Sequence, residues 1–139
     1  MSAITRFGVS IDSQLIQKFD ALIGRKGYAT RSEAIRDMIR DSLVQQEWAS
    51  DNRETVGTIT IVYDHHTRDL EHALTDTQHQ SFRHIVSALH VHLDAHNCLE
   101  VLVVKGKINE IKKIADRLIA TRGVKHGKLT TTTTGRDLV

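Results

Sequence analysis

The sequence predicts an α+β protein in two parts: β-α-α over residues 1–50, then β-α-β-β-α-β over residues 51–139. Three observations predict this. Apolar residues alternate with polar ones in several short runs, as a half-buried strand requires. Between those runs they recur at helical spacing. The polar stretch "ASDNRET" (49–55) interrupts both patterns and reads as a linker.

The first strand is residues 6–11, "RFGVSI". Phe7, Val9 and Ile11 point one way and Arg6, Gly8 and Ser10 the other. From Asp12 to Ile23, Leu15, Ile16, Phe19, Leu22 and Ile23 make one helical stripe, and Gly24 and Gly27 end it. Thr30 with Glu33 three residues on has the form of a capping box that starts a second helix, with Ile35, Met38, Ile39, Leu43 and Val44 as its stripe. A six-residue strand and two helices make too small a core to stand alone, so this half calls for a partner chain.

In the second half, residues 55–64 are rich in β-branched side chains and read as a strand, and residues 66–80 read as a helix. Two strands, 84–94 and 98–106, flank a short loop around "DAHN". Residues 108–123 form a helix with Gly123 as its stop, and a strand follows from residue 124. This order is the split βαβ of ferredoxin-like domains, a fold that hosts many functions and proves none.

Composition narrows the function. A 40% hydrophobic content with 26% charged residues marks a globular chain. No apolar run is long enough to cross a bilayer, and the N-terminus lacks the basic and apolar regions of a signal peptide. A single cysteine rules out an internal disulfide framework, so the expected compartment is the cytoplasm. No nucleophile–base pair, phosphate loop or cofactor fingerprint is present, so neither an enzyme nor a small-molecule substrate is expected.

The nine histidines against one cysteine direct attention to "LHVHLDAHNCLE" (89–100). Alternation puts Leu89, Val91 and Leu93 on one face with Leu99, Val101 and Val103 across the turn. His90 and His92 share the other face with Cys98 and Glu100. A thiolate with imidazoles suits zinc, copper or nickel and not magnesium or calcium. Glu100 can fix an imidazole tautomer from behind the ligands. HxH on a strand is common, and a lone cysteine is usually a small buried hydrophobe; it is their convergence on one face that favours ligation. Three donors leave a gap, for which His79, His84 and His96 are all candidates by spacing.

The N-terminal half has the β-α-α form of a ribbon-helix-helix unit, in which two strands pair and enter the major groove. Arg6, Gly8 and Ser10 would then face base edges, and the helix start at Arg31 and Ser32 would meet a phosphate. Residues 1–50 carry seven basic and six acidic side chains, so bulk charge alone does not demand DNA.

"RSEAIRD", "TQH", "LHVH", "HNCLE", "KG" and "RGVKHGKL", in this order over nearly the whole chain, resemble the NikR family of nickel-responsive transcriptional regulators. The resemblance implies a homotetramer of two ribbon-helix-helix dimers around a core of ACT-type ferredoxin-like domains, acting on double-stranded operator DNA and repressing nickel-uptake genes. It implies one Ni(II) per subunit in a square plane formed by His90, His92 and Cys98 of one chain with His79 of the partner subunit. It further implies a second cation, potassium or nickel, at Glu33 and Asp37, with a solvated acidic face as the alternative reading of the pair. Gly8 stands where Thr or Ser is common, and Thr67 where a basic residue is common, which leaves Arg68 as the loop's phosphate contact. The competing expectation is a protein that buffers or delivers nickel or copper, its first half serving only to dimerise.

Overall fold

The computed structural model describes residues 3–50 and 52–139, with only the backbone of residue 50. They fall into two compact units, one ending at Leu43 and taking in Asp137–Val139, the other running from Val44 to Arg136.

In the first unit, helix α1 (Ser13–Arg25) starts at Asp12, whose side chain accepts from the amides of Gln14 (2.8 Å) and Leu15 (3.3 Å). This satisfies two of the amides a helix start leaves open. Helix α2 (Arg31–Ser50) starts as expected: the Glu33 amide donates to Thr30 Oγ1 at 3.2 Å. The expected strand at 6–11 is not formed within the chain, and Phe7, Val9 and Ile11 are exposed. A strand exists through its ladder, and no described segment of this chain offers these residues one.

The second unit is a four-stranded antiparallel sheet in the order β2-β3-β1-β4. Its strands are β1 (Glu54–Asp64), β2 (Ile85–His92), β3 (Asn97–Lys107) and β4 (Val124–Thr131), and its helices are α3 (Leu70–Gln80) and α4 (Ile108–Ile119). Helix α3 begins four residues later than the sequence suggests. The Asp64 carboxylate accepts from the His66 amide, and its carbonyl accepts from the Thr67 amide, which turns the chain first. Helix α4 ends at Ile119, ahead of Gly123, whose φ of +100° suits glycine in the turn to β4.

One face of the sheet is dry. Ile59, Ile61 and Tyr63 of β1 pair with Leu102, Glu100 and Cys98 of β3, and all six are buried. Leu70, Leu74, Ile108, Ile111, Ala115 and Leu118 cover them, each worth about 1.5–3 kcal/mol for a full aliphatic side chain. Trp48, at the end of α2, belongs to this unit: it is buried and donates from Nε1 to the Thr132 carbonyl at 2.7 Å. The opposite face is open. Leu89, Val91 and Leu93 along the β2 edge remain exposed. The apolar side of the hairpin is therefore not the core of the single chain; the donor side is the one that continues into it.

Candidate metal centre

Register builds the centre. His92 pairs with Cys98 and His90 with Glu100 across β2 and β3, while Tyr63 pairs with Cys98 across β3 and β1. Side chains at paired positions share a face, so these residues converge without any special loop. The hairpin loop is held by Asp94, which accepts from the amides of His96 and Asn97 (2.8 Å each) and from Asn97 Nδ2 (3.0 Å). These donors hold its carboxyl well below the usual carboxylate range, the Asn97 side chain contributing most.

Cys98 is fully buried. Its Sγ lies 3.4 Å from His92 Nδ1 and 3.3 Å from His65 Nδ1. These three form the metal-competent cluster among the described residues, their donor atoms within 4.8 Å of one another. Burial pushes the thiol pKa up, with the carboxylates of Glu71, Asp64, Asp94 and Glu100 adding to it. A ligating metal would have to displace that proton.

His90 lies one step along the same face, its ring centroid 5.1 Å from that of His92. Its Nδ1 is 3.5 Å from the Tyr63 hydroxyl. Tyr63 in turn donates to Glu100 Oε2 at 3.2 Å, and Gln78 Nε2 donates to Oε1 at 2.7 Å. Glu100 thus reaches an imidazole through Tyr63. Burial, then the Glu100 charge, pushes the Tyr63 phenol far up, keeping it a proton donor. Tyr63, Glu71, Gln78, His90 and Glu100 line a recess of about 170 Å³. His79 occupies the last turn of α3, exposed and outside the Cys98 cluster.

His65 escaped the sequence reading because it follows the strand and so lies outside the alternation. The β1–β3 pairing expected of a split βαβ sheet was the available signal. Tyr63, opposite Cys98, is the next-to-last residue of β1, and the His65 amide donates to the His96 carbonyl at 3.0 Å, which folds its ring over the sulfur.

The other expected positions lie apart from this centre. Arg6, Gly8 and Ser10 are exposed in residues 3–12, and Ser32 is exposed at the α2 start. Arg31 forks onto Asp20 through Nε (2.8 Å) and Nη2 (2.7 Å), so its charge is already paired. Arg68 is exposed, its Nε 3.7 Å from Asp69. Asp37 accepts from Tyr28 Oη at 2.8 Å and Arg40 Nη1 at 3.0 Å, and the Arg40 guanidinium supplies the positive charge the second cation would bring. Glu33 and Asp37 share a shallow recess with those two side chains and Arg36.

Comparison with known proteins bears on these observations directly. A family model described as the NikR C-terminal nickel-binding domain matches residues 56–132, and one described as ribbon-helix-helix protein, copG family, matches residues 5–46. A protein of Geobacter metallireducens named "Putative nickel-responsive regulator" is 62% identical over 138 residues, covering 99% of both chains. One of the same name from Pyrococcus furiosus is 60% identical over 136 residues, 98% of this chain and 99% of the other. An uncharacterised protein of Thermotoga maritima superposes with a TM-score of 0.53 at 16% identity, over 58% of this chain and all of its own, a likeness of fold alone. No helix of the described residues is long and apolar enough to cross a membrane. With a ribbon-helix-helix match in its first part and a nickel-binding-domain match over its second, the chain belongs to the NikR family of nickel-responsive, DNA-binding transcriptional regulators.

Proposed function

We propose that this chain is a cytoplasmic, Ni(II)-dependent repressor of nickel-uptake genes, acting as a homotetramer on double-stranded operator DNA. The observation that carries the reading is the register of the hairpin. His92 faces Cys98, with a Nδ1–Sγ distance of 3.4 Å, and His90 sits beside them on the same face. Those three, with His79 of the partner subunit, supply one thiolate and three imidazoles. That donor set suits a square plane around Ni(II), one ion per subunit.

The chain's own residues couple this set to the rest of the domain. The Gln78–Glu100–Tyr63–His90 bonds tie the last turn of α3 to the donor face. His79 follows Gln78 directly, so its engagement by a neighbouring subunit fixes that helix end. Metal loading shifts the chain toward the DNA-competent arrangement only by its difference in affinity for the two states. A change from 1:99 to 99:1 needs about 10⁴-fold. Copper(II) binds such sets at least as tightly, so selectivity rests on availability and on the response to geometry. In the output unit, Arg6, Gly8 and Ser10 read base edges, and Ser32 and Arg68 contact phosphates, joined by Arg31 if it exchanges Asp20 for one. A potassium ion at Glu33 and Asp37 would require Tyr28 and Arg40 to release Asp37.

Mobility shifts on promoter DNA test the reading. Binding is expected with Ni(II) and is expected to vanish in Cys98→Ala; unchanged nickel-dependent binding there refutes the ligand assignment. Arg6→Ala is expected to abolish DNA binding while nickel uptake by the protein persists. If the protein instead only stores or delivers the metal, neither the wild type nor Arg6→Ala retards the DNA.

A further inference from the structure

The polar stretch between α2 and β1 has the composition of a linker but is bonded into the second unit, and the start of α4 explains why. Lys107 stands at the N-cap of α4 and makes no side-chain cap bond, since a lysine carries no acceptor. The first-turn amides therefore need acceptors from elsewhere. Arg53 offers its carbonyl to the Ile108 amide at 3.2 Å, and Asn52 Oδ1 accepts from the Asn109 amide at 3.0 Å. One turn on, Lys112 Nζ donates to the Trp48 carbonyl at 3.0 Å, setting a cation where the last carbonyls of α2 gather negative charge. The Trp48 ring is buried, and the Thr132 carbonyl that takes its Nε1 also accepts from Thr55 Oγ1 at 3.0 Å. Gly57 leaves room for that ring: a Cβ there would meet it at 3.4 Å and the Thr130 carbonyl at 3.1 Å.

We propose that Trp48, Asn52, Arg53 and Thr55 form a clamp that fastens the last turns of α2 to α4, and that nickel-dependent control of DNA binding is carried through it. The second part rests on the regulatory reading above. Helix α4 packs on the sheet face that bears Cys98 and Glu100, so it lies against the donor side. A flexible linker would dissipate a rearrangement there, because each free residue lets the chain reorient. A clamped helix end cannot: what moves α4 moves the end of α2. Helix α2 starts in the first unit and ends in the second, and it contains neither proline nor glycine to kink it. Along this connection, freedom between the units is confined to bending of a continuous helix ahead of Val44.

The test uses the full-length chain. Hydrogen exchange is expected to be slow at the Ile108 and Asn109 amides. Asn52→Ala, at an exposed residue, is expected to speed Asn109 exchange about fivefold, the factor lost with a helix cap, whereas Asn52→Asp keeps the acceptor and the slow exchange. Asn52→Ala combined with Lys112→Met is expected to leave nickel affinity, measured by chelator competition, unchanged. The same pair is expected to weaken nickel-dependent DNA binding at least roughly tenfold. Wild-type Ile108 and Asn109 amides that exchange as fast as an open chain overturn the clamp. Faster exchange in the double variant with nickel-dependent DNA binding intact overturns the transmission, as does nickel affinity lost in step with DNA binding. Should circular dichroism show that the double variant misfolds, Lys112→Met alone decides by the same measurements. Absence of nickel-dependent DNA binding in the wild type would instead sink the regulatory reading and the transmission with it, while the exchange outcomes still decide the clamp.

Discussion

The two units bury themselves in different ways. Among the described residues up to Leu43, Ile23 and Ala34 are the buried hydrophobics, while Phe7, Val9, Leu15, Leu22, Met38 and Ile39 stand exposed. In the second unit, one face of the sheet carries a continuous dry layer from Ile59 to Leu118. The first unit has the apolar residues of a core without the neighbours to close it, and the second closes one core while leaving the Leu89–Leu93 side open. Incomplete burial is thus distributed: total in the ribbon segment, partial in the sheet. A chain built this way completes its folding by association.

That contrast can be broken by mutation, and the largest effect is expected where exposure is greatest. Phe7→Asp changes a residue 70% exposed in the single chain, which ordinarily costs little. If a second ribbon covers it, the substitution is expected to remove about 3–5 kcal/mol from the associated first unit. Sedimentation should show a loss of association through that unit, and circular dichroism a loss of helix, with the sheet retained. An unchanged assembly would mean that the first unit stands without a partner.

Ile61→Ala sharpens the other side. Ile61 is fully buried between Glu100 and Gly127 in register on its neighbouring strands. Its truncation is expected to cost about 2–5 kcal/mol of stability in the second unit, read as a lower denaturant midpoint. The first unit's transition should stay in place, so coincident shifts would show that the two do not melt separately.

The smallest effect concerns the loop that joins the halves of the metal centre. The Asp94 carboxyl is held low by its three donors, so the stability it contributes is present above the ordinary carboxylate range. That stability is lost as pH falls through the depressed folded value. Asp94→Ala is expected to flatten the acid limb of the stability curve and to speed amide exchange at His96 and Asn97. An acid limb identical to the wild type would assign the loss to other carboxylates.

Much of this was legible in the sequence, and the exceptions have physical causes. Period-two alternation placed His90, His92, Cys98 and Glu100 on one face, and the register bears that out. The order of elements in the second half, and with it the sheet, also followed from pattern. Residues 6–11 alternate correctly yet make no strand here, because a ladder is a property of two segments and this chain holds one. Which face of the hairpin is dry was not legible, since both faces carry apolar residues and the covering helices decide between them. His65 was missed because alternation says nothing about the residue past a strand's end. His79 entered the expected ligand set only through the resemblance, since spacing left it level with His84 and His96.

The ladder that aligns His92, Cys98 and Tyr63 is made of main-chain hydrogen bonds, which nearly any residue can supply. The positions of the donors are therefore indexed by backbone pairing, independently of the side chains on the reverse of the same strands. Drift at Leu89, Val91 and Leu93 can rewrite how the open face meets other molecules without moving a proposed ligand. Insertion of a single residue between Asp94 and Asn97 lengthens the loop and leaves the ladder intact, whereas one inside β2 or β3 must be taken up as a bulge, because a slip by one would turn every donor to the wrong side. A lineage can thus alter its assembly quickly while its choice of metal changes slowly.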